Sequence, residues 1–118
     1  MTFFENQLQQ LVSKSALLKN PKYVGNACIA KLTDQITVKI IFATQGHADH
    51  YSALQISIIN RTQATIDTQK ITIHDIIGHN AYIWKYRDEI DWYSYKPGTA
   101  DYNKLGAAIN DYCVNFTD

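Results

Sequence analysis

The apolar positions of this chain change period twice, and each change marks a change of element. Phe4, Leu8, Leu11, Val12, Ala16 and Leu18 lie on one stripe at helical spacing, with Asn6, Gln9, Gln10, Ser13 and Lys14 on the opposite face and Phe3 and Leu17 off the stripe. Thr2-Phe3-Phe4-Glu5 reads as a capping box: the Thr2 hydroxyl accepts from the amide three residues on, and the Glu5 carboxylate reaches back. This predicts a helix from Thr2 that stops at Asn20-Pro21, because the residue before a proline is driven out of the α region.

Beyond Pro21 the apolar positions alternate. Val24, Cys28, Ala30 and Leu32 share one phase, and Ile36, Val38, Ile40 and Phe42 alternate with Thr37 and Lys39. Two strands joined at Thr33-Asp34 are expected. Gln45 to Asp49 reads as a loop, and Leu54, Ile56 and Ile58 alternate with Gln55 and Ser57 in a third strand that ends near Asn60-Arg61. A fourth begins near Ala64. Its Ile66 is out of phase with Ile71 and Ile73, so a β-bulge or break is expected near Gln69-Lys70. His74 to Gly78 reads as a single helical turn closed by Gly78, and Ala81 to Pro97, AYIWKYRDEIDWYSYKP, as a hairpin of strands five and six.

The helical period returns from Thr99: Tyr102, Leu105, Ala108, Ile109, Tyr112, Cys113 and Phe116 share a stripe, and Asp101 sits in the first turn, where the helix dipole favours an acid. The expected fold is therefore α+β: an N-terminal helix, a roughly six-stranded, mostly antiparallel meander, and a C-terminal helix packed on the sheet. Residues 1–118 are expected to form a single α+β domain, since no linker or repeat interrupts them.

Composition narrows the function classes. Eleven basic residues balance eleven acidic ones, so no long-range field gathers phosphates, and nucleic acid is not an expected partner. Net neutrality also removes the repulsion that keeps small proteins apart, which favours self-association. No apolar run is long enough to span a bilayer and the N-terminus lacks a signal-peptide pattern, so the expectation is a soluble, cytoplasmic protein with no membrane role. Frequent Ile, Asn, Lys and Tyr, with only 2 Pro, suit an AT-rich coding genome, as in an accessory protein of a bacterium or its mobile elements. Cys28 and Cys113 fall on apolar faces and are expected as buried free thiols.

Two short clusters could carry chemistry. His47, Asp49 and His50 in GHADHY look like part of a metallohydrolase motif, in which imidazoles and a carboxylate hold zinc and orient a water; further ligands at the needed spacing are missing. His74 and Asp75, with His79 nearby, look like the His-Asp pair of all-helical phosphohydrolases, but strands dominate here and the likeness is set aside. A combined site needs both clusters to meet at one sheet edge. We assign no metal, cofactor or catalytic residue on this basis; His47, Asp49, His50, His74 and His79 are the set a metal-dependent hydrolase would use.

The strongest feature is the hairpin with Tyr82, Trp84, Tyr86, Trp92, Tyr93 and Tyr95. A turn centred on Asp88-Glu89 would set Trp84 opposite Tyr93 and Tyr82 opposite Tyr95, with five rings on one side. A three-residue loop would instead set Tyr86 opposite Trp92 and Trp84 opposite Ser94. Either way both faces keep large rings, so one needs the core and the other a second cover. Lys85, Arg87 and Lys96 are offset by Asp88, Glu89 and Asp91, which leaves no cationic groove for bases to stack along. The leading expectation is a small non-enzymatic interaction module that self-associates or binds a protein partner through these six rings. The alternatives are a small-ligand carrier with a cavity between sheet and helix, lined also by Tyr102 and Tyr112, and the metal-dependent hydrolase.

Overall fold

The computed structural model describes residues 2–84 and 88–117. The element order is helix α1 (Phe3–Val12), strands β1 (Lys19–Val24), β2 (Ala27–Lys31), β3 (Ile36–Thr44), β4 (His50–Asn60) and β5 (Thr65–Thr72), helix α2 (Ile73–Ile77), strands β6 (Tyr82–Trp84) and β7 (Trp92–Tyr93), and helix α3 (Thr99–Cys113) with a 3₁₀ turn at Val114–Phe116. The α+β class with a helix at each end of an antiparallel sheet stands as expected.

The capping box at α1 forms as its sequence implies: Thr2 N–H donates to Glu5 Oε1 at 2.8 Å and Glu5 N–H to Thr2 Oγ1 at 3.1 Å. The hydrogen bonds from Thr2, its backbone N–H first, hold the Glu5 carboxyl below its usual range. The helix is shorter than expected, however, and ends at Val12 instead of Asn20. Ser13 diverts it: its hydroxyl donates to the Gln10 carbonyl at 2.9 Å, competing with the backbone ladder. Ser15 is then buried and donates to Asn110 Oδ1 on α3 at 2.5 Å, and the Leu17 N–H donates to the same oxygen at 3.3 Å. The last positions of the presumed stripe belong to a loop stapled to the C-terminal helix, and Ala16 is exposed.

Lys19 to Leu32 forms a hairpin where one strand was expected. Gly25 adopts φ 61 and, with Asn26, joins Val24 to Ala27, the pattern of a tight turn with glycine first. Val24, placed in phase with the core by its sequence spacing, is 67% exposed because the turn reverses the chain beside it. Asn20 has φ 53, and the β1–β2 register breaks between Lys19 and Lys22, which accommodates Pro21 at the sheet edge.

From β1 to β5, strands adjacent in sequence pair. Cys28 lies opposite Ile40 and Ile40 opposite Ile56; Ala30, Val38 and Ile58 make a second row, and Phe42 with Leu54 a third. All eight are buried, and together with Leu8 and Leu11 of α1 and Tyr102, Leu105 and Ile109 of α3 they form the core. The reverse side carries Lys39, Ser57 and Thr68 in one row.

The irregularity in the fourth stretch is real but lies elsewhere than expected. Ile58 faces Asp67 whereas Ile59 faces Thr65, so Ile66 is the extra residue, and it is 49% exposed. Beyond it the pleat is regular, with Leu54 opposite Ile71 and Ala53 opposite Thr72. Strand β6 pairs not with β5 but with the other end of β4: His50 opposite Trp84 and Tyr51 opposite Ile83. Strands β5 and β6 thus share one edge of β4, and α2 is a one-turn excursion between them. Gly78 closes α2 at φ 80, with its N–H on the His74 carbonyl at 2.8 Å.

Candidate functional site

Neither expected hairpin register occurs. Tyr82 lies opposite Tyr93 and Ile83 opposite Trp92, so Ile83 and Trp92 turn toward the helices while Tyr82, Trp84 and Tyr93 stand on the reverse side. Tyr86 lies outside the described residues. The strands end early because Ser94 takes φ 66 and the Tyr95 N–H donates to the Tyr93 carbonyl at 2.9 Å, a γ-turn that swings Tyr95 out of the sheet. Tyr95 then donates its hydroxyl to Asp101 Oδ2 at 2.9 Å, and its ring stacks on His79 with centroids 4.1 Å apart.

On the inner side Trp92 is 7% exposed and Ile83 is 0% exposed. The Trp92 indole N–H donates to Gln7 Oε1 at 3.0 Å, the Tyr102 hydroxyl donates to the same oxygen, and Phe42 meets the indole edge-to-face at 6.0 Å. One buried amide therefore ties α1, β7 and α3 together. Burial pushes the Tyr102 phenol above its usual range. Gln7 escaped the sequence reading because a polar residue between Asn6 and Leu8 looks like part of the wet face.

The reverse side holds a continuous ring cluster. A second bulge builds it: Ala43 faces Ala53 but Thr44 faces Tyr51, so Ser52 is extra. Tyr51 packs against Phe4 with centroids 5.3 Å apart, and the neighbouring His50 emerges on the other side. There His50 stacks on Tyr82 at 4.4 Å and meets Trp84 edge-on at 4.2 Å. Tyr82 stacks with Tyr93 at 6.0 Å, and Trp84 stands edge-on to both tyrosines at 5.9 and 6.0 Å. His47 adds a tilted ring 5.0 Å from His50. All of Tyr82, Trp84, Tyr93 and His50 are half-buried, so the cluster keeps ring surface in water.

The two histidine clusters do meet. His47, His50 and His74 line one cleft of about 440 Å³ with Gln45, Asn80, Tyr82 and Ser94, because the α2 excursion returns the chain beside the start of β4. His79 sits instead against Tyr95, and Asp49 contacts His50 at 3.8 Å. Among the described residues no three His, Cys, Asp or Glu side chains converge in an arrangement able to hold a metal. Among the described residues no acidic side chain lines the cleft, and its lining offers imidazole, amide and hydroxyl groups. The thiols take no part: Cys28 and Cys113 are both free and buried, and burial pushes each up to about 11. Among the described residues no helix is long and apolar enough to cross a membrane.

No protein-family model matches this chain, and no curated protein and no solved structure matches it either.

Proposed function

We propose that this protein is a cytoplasmic, non-enzymatic interaction module that self-associates through the ring surface of Tyr82, Trp84, Tyr93 and His50. The observation that carries this reading is the placement of four packed, half-buried rings on the side of the sheet opposite to the buried Trp92 and Ile83. Tyrosine and tryptophan suit such a surface because their rings gain from burial while their polar ends tolerate water. The zero net charge imposes no repulsion between copies.

Sedimentation velocity across a concentration series tests it. A dimer that Tyr82→Ala or Trp84→Ala converts to monomer supports the reading; a protein monomeric at every concentration overturns it.

The histidine-lined cleft favours a second reading, a carrier of a small polar ligand. The space under α3 is filled by Tyr102, Leu105 and Ile109, so the cleft replaces the expected sheet-helix cavity as its seat. Inorganic phosphate titrated at pH 6 is a first probe: shifts in the His47, His50 and His74 ring signals support a ligand site, and unchanged signals count against an anionic ligand.

A further inference from the structure

The β1 and β5 edges of the sheet are built in different ways. The β1 edge is blunted: Pro21 lacks an N–H, Asn20 breaks the pleat at φ 53, the register shifts there, and Lys19 and Lys22 are exposed. These are the devices by which sheets refuse another strand. The β5 edge has fewer of them, the Ile66 bulge near its start and an exposed Lys70. Thr65 to Thr72 contains no proline, Thr65 to Lys70 are all exposed, and past the Ile66 bulge the strand is regular to its end. One side of it pairs with β4, and among the described residues no strand pairs with the other.

A groove of about 680 Å³ wraps the end of this edge. Ile71, Ile76 and Ala108 supply its apolar part, Tyr112 a ring, and Asp75 and Asp111 two exposed carboxylates. The wall is fixed, since Tyr112 donates its hydroxyl to Asp67 Oδ2 on β5 at 2.6 Å. That bond occupies the Asp67 carboxylate, and Lys70, the cation of β5, gives its ammonium to the Thr44 carbonyl at 3.0 Å. Lys70 also lines the groove and keeps its charge on that neutral acceptor, so Asp75 and Asp111 give the lining a net negative balance toward an incoming chain.

We infer that β5 and this groove bind an extended basic peptide, which adds to the sheet as a further antiparallel or parallel strand and places a Lys or Arg side chain beside Asp75 and Asp111. An unpaired edge supplies main-chain hydrogen bonds, and the groove takes every second side chain, so affinity and selectivity come from different parts of one surface. A second copy of β5 fits poorly: its helix-facing positions are Asp67, Gln69 and Ile71, which would bring an acid and no cation to the two carboxylates. This surface lies apart from the Tyr82 cluster, and either can fail without the other.

The probe is a blocked hexapeptide of alternating valine and lysine, with alternating valine and glutamate as its control. The lysine peptide is expected to slow amide exchange across Asp67 to Thr72 and to bind more tightly than the control. Asp111→Lys, a change at an exposed helix position, is expected to weaken it about fivefold, the scale of one exposed ion pair lost and one repulsion gained. Asp75→Asn acts in the same direction and less. Equal binding of the two peptides, no effect of either substitution, protection that maps to β1 or the Tyr82 cluster, or no binding would each overturn the inference. So would protection of the same amides by concentration-dependent dimerisation alone, which would give the edge to a second copy.

Discussion

Trp92 and Trp84 belong to neighbouring strands of one hairpin and fare in opposite ways. Trp92 faces the helices, hydrogen-bonds Gln7 and is 7% exposed, while Trp84 faces away and rests edge-on against His50, Tyr82 and Tyr93. The residue type is the same and the strands are paired, so the difference is purely one of pleat. What it teaches is that the hairpin is held from within by a core and a buried amide, while its outer face carries half-buried rings packed on one another and on His50.

The sharpest way to break that contrast is truncation on each side. Trp92→Ala is expected to cost about 3–5 kcal/mol, through lost burial, a cavity and the loss of one of the two donors to Gln7 Oε1. Trp84→Ala should cost no more than about 1 kcal/mol, since a half-buried ring loses less area and leaves no cavity in the core. Urea unfolding of both variants measures this, and equal losses would mean that the two faces are not distinct in energy.

The tightness of the inner cover is tested next. Gly106 on α3 is so close to α1 that an added Cβ would stand 2.7 Å from the Lys14 Cβ and 2.9 Å from the Leu11 carbonyl oxygen. Gly106→Ala is therefore expected to destabilise by about 1–3 kcal/mol despite the better helix propensity of alanine. A stabilised Gly106→Ala protein would show that the helices covering the inner face are loosely set.

Gln7→Ala should cost about 1–3 kcal/mol by leaving the Trp92 indole and the Tyr102 hydroxyl without an acceptor. It should also let Trp92 fluorescence shift toward that of a wetter ring. An unchanged spectrum and stability would mean that the amide is incidental.

The smallest effect is one of pH. Burial raises the Asp101 carboxyl, but the Gly98 N–H at 2.9 Å and the Tyr95 hydroxyl prevail and leave it below its usual value. A carboxyl depressed in the folded state contributes stability that is present above its unfolded value of about 4 and is lost as pH falls through the folded one. Asp101→Asn should accordingly flatten the acid limb of the stability curve below about pH 4 while moving neither Trp84 nor Tyr82. The same acid limb in both proteins would refute a role for this contact.

Much of the frame was legible. The Thr2 capping box, the Gly78 stop and the alternation of Val38, Ile40, Phe42 with Leu54, Ile56, Ile58 each depend on neighbours in sequence or on a single buried face, and each forms as read. The Ile66 phase slip announced a bulge but not its site, because the slip can be absorbed at Ile66 itself, as it is here, or at any residue from there to Ile71. The helix end at Val12 was hidden for a related reason: Leu18 remains apolar and buried, yet the loop that carries it is held by Asn110, ninety-odd positions away in the chain.

The candidate site was legible in its residues and not in its arrangement. That the rings from Tyr82 to Tyr95 need cover on two faces is an expectation drawn from alternation alone. Which ring takes which face depends on register, and one step of register exchanges the faces. Here the register answers to things local sequence does not contain: an acceptor on α1 that suits the Trp92 indole, a γ-turn at Ser94 that ends the pairing, and a bulge at Ser52 that delivers His50 to the outer rings. The amino-acid sequence by itself determined the elements, their order and the main core rows, because those rest on short-range periodicity and capping. Only the tertiary structure decided where the rings, the histidine cleft and the open β5 edge lie, because each of those is set by contacts between elements far apart along the chain.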